Sequence, residues 1–139
     1  MSPYRKRVLF VCEHDGGSSR VCAAYLDSLA GDRYEALAAA LEPSAGVRPE
    51  AAWSLSEDQV AVADGPGRPM TAELADVMDR IVTLGFTLNP DVARHVAREE
   101  WGIPDLAGRQ MQEVRVIRDT IRRLVERLVA RLDTEAAVR

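Results

Sequence analysis

The stretch from Val8 to Arg20, VLFVCEHDGGSSR, ends an apolar run in a cysteine and follows it with small and polar residues. Placed between a strand and a helix, such a loop can turn successive backbone N–H groups inward, and the helix dipole adds partial positive charge. Both effects favour a bound oxyanion, and both favour the thiolate of Cys12, the nucleophilic form of a cysteine. Gly16 and Gly17 permit the close turns of an anion cradle, and Ser19 has a hydroxyl that can bond the sulfur or cap the helix. The other members of the segment pull in different directions. Glu13 and Asp15 oppose an anion unless they point outward, His14 can carry a proton near neutral pH or merely support the loop, and Ser18 is neutral. Arg20 either swings toward the cradle or lies on the surface. A buried, inert cysteine ending a strand is the competing reading.

These residues need elements to position them. Val8 to Cys12 is short, continuous and apolar, which suits a strand covered on both faces in a parallel sheet. Ser18 and Ser19 can cap a helix through about Ala30, with Val21, Ala24, Tyr25 and Leu29 available to face the sheet. YEALAAAL, from Tyr34, has helix-forming composition where the chain order asks for a strand, and both assignments stay open. Pro49 suits a helix start, Ala63 to Pro69 is a glycine and proline loop, and Thr71 caps a further helix. Arg80 to Gly85 is a second buried strand. Val92 to Trp101 reads as helix, short strand or both. From Met111 to Leu132, apolar Val114, Ile117, Ile121, Leu124, Leu128 and Leu132 recur at helical spacing, and Arg115, Arg118, Arg122 and Arg127 fall elsewhere, on a solvated or partner-facing side. Strands alternating with helices predict an α/β domain with a mostly parallel sheet, which binds ligands at the carboxyl ends of its strands. Cys12 stands at such an end.

The totals set limits. The 139 residues, 47% apolar and 29% charged, suit a single domain over 1–139. A net charge of -4 and a pI near 5.2 give no bulk reason to bind nucleic acid or an anionic membrane. The basic YRKR is followed by an apolar run too short for a signal peptide or a bilayer span, so a cytoplasmic protein is expected. The two cysteines have no metal-ligand spacing with His14 or His95, and no metal is expected.

VLFVCEHDGGSSRVCAAYL resembles the opening of the low-molecular-weight protein tyrosine phosphatase and arsenate reductase superfamily: a strand, C-x5-R-S and an alanine-rich helix. PSAG (Pro43 to Gly46), RPMT (Arg68 to Thr71) and DRIVTLG (Asp79 to Gly85) are similar to later motifs of that family. WGIPDLAG with EVRVIRDTIRRLVERL is similar to the closing segment of arsenate reductases, especially the actinobacterial, mycothiol-linked type. The resemblance covers nearly the whole chain. It implies a single-domain, three-layer α/β fold with a mostly parallel four-stranded sheet flanked by helices. It also implies Cys12 as nucleophile, the loop from Glu13 to Arg20 as oxyanion binder and Asp105 as general acid. The substrate would be a small oxyanion or a phosphorylated group, with no bound cofactor, an external thiol such as mycothiol if the chain is a reductase, and a possible protein partner.

The departures are as informative. Asp15 stands where relatives usually have asparagine, and Leu106 follows Asp105 in place of proline. Ungapped alignment puts Ser18 at the arginine position, with Arg20 two residues late. A serine offers one hydroxyl where arginine offers two parallel charge-assisted bonds, and by analogy with arginine fingers the loss costs roughly 10³ to 10⁵ in rate, or about 4 to 7 kcal/mol. TLGFTLNP, from Thr83 to Pro90, lacks the cysteines of relatives that finish by intramolecular disulfide exchange. Cys22 reads as a small core residue and Trp53 and Trp101 as core or rim. Asp105 by itself is equally a turn residue. Two functional readings follow: an enzyme that still uses Cys12, or a pseudoenzyme that keeps the fold and the cradle to bind an anion or a partner.

Overall fold

The computed structural model describes residues 4–138. Its elements run β1 (Lys6–His14), α1 (Ser18–Ala30), β2 (Tyr34–Glu42), α2 (Pro49–Ser56), α3 (Ala72–Asp76), β3 (Arg80–Leu84), β4 (Ala97–Trp101) and α4 (Met111–Ala137). The four strands form one sheet in the order β2-β1-β3-β4, and every pairing is parallel. β1 is therefore interior, and its side chains alternate between two apolar layers. Val8, Phe10 and Cys12 join the core made with α1, α2 and α4, while Leu9 and Val11 meet Ala75 of α3 and Leu88, Ala93 and Val96. The result is the three-layer α/β arrangement expected.

Several local expectations change. β1 does not stop at Cys12 but continues through Glu13 and His14, held by the pairing of His14 with Glu42. YEALAAALE is a strand: eight residues pair along β1, and that ladder outweighs the helix propensity of alanine and glutamate. Neither Ser18 nor Ser19 caps α1, whose N-cap is Gly17. Leu29 faces outward, 43% exposed, and Cys22 and Leu26 pack inward instead. In the segment from Val92, turns precede the short strand β4. The arginine side of α4 is only partly solvated. Arg118 is buried, donating to the Ser54 carbonyl and pairing with Glu57 and Asp119, while Arg115 pairs with Glu57 and Arg122 with Asp58. Among the described residues no helix is long and apolar enough to cross a membrane.

Candidate functional site

The turn from β1 into α1 is made by Asp15, Gly16 and Gly17 alone. Gly17 has φ of 106°, a left-handed conformation in which a side chain is strained. At Gly16 the constraint is space: a Cβ there would lie 1.2 Å from Oδ1 of Asp105. The Asp105 carboxylate thus rests directly on the turn. The same Oδ1 accepts the Ala107 N–H at 3.2 Å, and the Asp105 carbonyl accepts from Arg109 Nε at 2.7 Å. Apart from the Ser19 N–H, which bonds the Cys12 sulfur, the amides of residues 16 to 20 donate to no protein acceptor among the described residues, which leaves unpaired N–H groups at the start of α1.

Cys12 reaches this turn from the end of the sheet. Its Sγ lies 3.2 Å from Ser19 Oγ and 3.9 Å from the Ala39 carbonyl, an acceptor that suits a thiol. A cavity of about 120 Å³ opens beside it, lined by Cys12, Glu13, His14, Ser18, Pro104 and Asp105 with Leu84, Gly85 and Ile103. The Ser18 hydroxyl is spent on the Pro104 carbonyl at 2.8 Å. Glu13 and His14 are exposed at the mouth, and the imidazole Nδ1 pairs with Glu42.

Arg20 points away from the cavity. Its guanidinium meets Asp15 Oδ2 at 3.3 Å and the carbonyls of Gly65 at 2.9 Å and Ala63 at 3.5 Å. Asp15 also accepts from the Ser44 N–H at 2.9 Å and the Ser44 hydroxyl at 3.0 Å. These bonds tie the cysteine turn to PSAG and to the loop before Pro69. Gly67 completes the packing, since a Cβ there would lie 2.0 Å from Asp15 Oδ2. Neither Asp15 nor Arg20 lines the cavity; both stand behind it. The motif PSAG does not by itself reveal this role; the hint in the sequence is Asp15 and Arg20, five residues apart across a turn. The bonds of Ser18 to Pro104 and of Asp15 to Ser44 span 86 and 29 residues, and no local pattern announces them.

Charge follows from this placement. Burial pushes the Cys12 thiol up, the Ser19 bonds lower it in part, and Asp15 and Asp105 raise it further. Burial first, with Asp15 and Asp105 beside it, therefore opposes the thiolate expected from the loop. Burial also presses the Asp15 carboxyl up, but Ser44 and Arg20 together hold it below the ordinary carboxylate range. Cys22 is fully buried in the core, its thiol pushed well up by burial, and Trp53 is 58% exposed while Trp101 is buried. Among the described residues no cluster of three or more histidine, cysteine, aspartate or glutamate side chains could hold a metal.

No family model matches the chain. An arsenate reductase of Bacillus cereus is 26% identical over 126 residues, which is 88% of this chain and 93% of that protein. A solved structure described as an arsenate reductase in the phosphate binding state superposes with a TM-score of 0.80 at 25% identity, over 91% of this chain and 98% of that one. In sequence and in fold the chain is similar to the low-molecular-weight phosphatase and arsenate reductase superfamily. The low-molecular-weight protein tyrosine phosphatase of T. tengcongensis shares the fold, with a TM-score of 0.77 at 16% identity over 91% of this chain and 99% of that one. The turn around Cys12, with unpaired helix-start amides beside it and Asp105 lining the same cavity, fits an anion-binding site.

Proposed function

We propose that this chain is a degenerate member of the superfamily, in which the Cys12 turn holds a small oxyanion or a phosphorylated group without turning it over at an enzyme's rate. One observation carries the reading: among the described residues no guanidinium lines the cavity. The hydroxyl of Ser18 is bonded to Pro104, and the displaced Arg20 is committed to Asp15. What is left to hold an anion is backbone N–H groups and, when protonated, His14, offset by Glu13 and Asp105. Without a fixed cation the charge on a transferring oxyanion is not stabilised in the transition state, and with the thiol pushed up the nucleophile is scarce. A cytoplasmic location, one domain over residues 1–139, and a protein partner without nucleic acid or membrane complete the proposal.

A second reading keeps Cys12 as nucleophile and Asp105 as general acid, with an external thiol such as mycothiol supplying the electrons: arsenic(V) is reduced to arsenic(III) as thiol sulfurs are oxidised to a disulfide. It is favoured by Cys12, Ser19 and Asp105 converging on one site. Turnover of para-nitrophenyl phosphate, and of arsenate with mycothiol and its reductase, separates the two readings. The expected result is no turnover that depends on Cys12, with weak phosphate binding by calorimetry. Activity lost in Cys12→Ser would overturn the first reading and establish the second. Ser18→Arg is expected to tighten phosphate binding.

A further inference from the structure

A second cavity, larger than the one beside Cys12, lies elsewhere on the molecule. About 350 Å³ opens along the outer edge of β2, between that strand, the flank of α1 and the loop that runs through Ala63 to Arg68. β2 is an edge strand, and its register shows which backbone groups face out. Ala40 gives its N–H to the Arg68 carbonyl and takes the Met70 N–H on its carbonyl, so Ala40 points away from β1. By the two-residue period of a strand, Ala36 and Ala38 point the same way. Their outward N–H and C=O groups meet no protein partner among the described residues. The chain begins a fifth strand at Pro69, in a parallel bridge to Ala40, but Gly65, Pro66 and Gly67 turn the preceding residues aside and leave the rest of the edge open.

We propose that this slot docks an extended, basic peptide segment of a partner protein, which adds to β2 as the missing fifth strand. Main-chain bonds to Ala36 and Ala38 supply the affinity common to strand addition, and an unpaired edge is a template for it. Alanines on both the strand and α1 leave room for a backbone to approach. Charge selects the occupant. Glu35 is paired with Arg7 and Arg20 with Asp15, whereas the carboxylates of Asp27, on α1, and Asp64, on the loop, make no hydrogen bond or ion pair among the described residues. Two uncommitted acids therefore face the slot from opposite walls, against one uncommitted cation, Arg68, at its closed end. The walls also decide against a second copy of this chain: the slot accepts one extended segment between helix and loop, and another sheet edge arrives with its own helix and loop attached.

The test uses a fluorescein-labelled, end-blocked heptapeptide of alternating lysine and valine, with an alternating glutamate and valine peptide beside it. Fluorescence anisotropy is expected to show saturable binding of the basic peptide alone, and hydrogen exchange by NMR to show new protection of the Ala36 and Ala38 amides. Ala38→Pro removes an outward N–H while leaving the ladder to β1, a substitution that edge strands tolerate. It is expected to weaken binding by about tenfold or more, as is the double charge reversal Asp27→Lys with Asp64→Lys. Should Ala38→Pro fail to fold, the surface charge reversal and the exchange pattern still decide. The proposal is overturned by absence of binding at millimolar peptide, by equal binding of the acidic peptide, by affinity unchanged in the charge-reversed protein, or by protection that falls outside β2. Dimerisation that protects Ala36 and Ala38 without peptide would overturn it in favour of a second copy.

Discussion

Two departures at the cysteine turn account for each other. An aspartate at position 15 brings a carboxylate into a buried place, 6% exposed, and an arginine two residues beyond position 18 brings the cation that stabilises it there. With both partners nearly out of solvent, deleting one leaves the other as an uncompensated buried charge, a change that costs about 3 to 5 kcal/mol. Arg20→Met is expected to lower urea stability by an amount of that order, and Asp15→Asn added to it to restore much of the loss, because the amide can still take the Ser44 bonds. Additive losses would show that the pair is not what holds the turn. The pH dependence has a defined sign. The folded carboxyl of Asp15 sits below its unfolded value, so its contribution is present above the ordinary carboxylate range and is lost as pH falls toward the folded value. Asp15→Asn should flatten that part of the acid limb.

The strand, turn and helix that carry Cys12 show what was legible and what was not. Strand, glycine pair and helix could be read from residue types, and α4 from its spacing, because periodicity reports burial directly. β2 could not: its alanines serve a helix and a strand equally, and only the ladder to β1 decides. β4 reads as polar because it is an edge strand, with Glu99 gathering Arg80, Arg131 and the Trp101 indole. The membership of Cys12, Ser18 and Asp105 in one site was legible through resemblance to known motifs, but the outward course of Arg20 depends on distant carbonyls that no local pattern reveals. The turn itself makes a prediction. Gly16→Ala drives a methyl into the Asp105 carboxylate, whereas Gly46→Ala meets nothing within 4 Å. Overpacking of this kind costs about 1 to 3 kcal/mol. Thermal melts should show a loss at Gly16 well above that at Gly46, and Asp105→Ala should relieve most of it. If the loss persists without the Asp105 side chain, the two groups do not share that space.

Across the whole molecule the thiols and phenols are coupled to folding in the same direction. Burial raises Cys22 and Cys12, and burial with a bond to Asp133 raises Tyr34 to about 12. For each of these groups the unfolded chain loses its proton at lower pH than the folded one. Their neutral forms therefore cost nothing below the unfolded values, and stability falls as pH rises through them. On the acid side the sign reverses, since Asp15, Glu99 and Asp133 are held below their unfolded values and stability falls as those carboxylates take up protons. The fold should thus be most stable between the two limbs. Cys22 gives the cleaner test of the alkaline limb, because it lies wholly in the core and outside the cavity. Denaturant midpoints followed from pH 7 to above the ordinary thiol range, roughly 8.5, should decline less steeply in Cys22→Ala than in the parent protein. The variant is expected to start lower, since it trades a packed sulfur for a small void. Parallel curves would mean that the Cys22 thiol ionises as readily in the folded chain as in the unfolded one, which its place in the core between α1 and the sheet argues against.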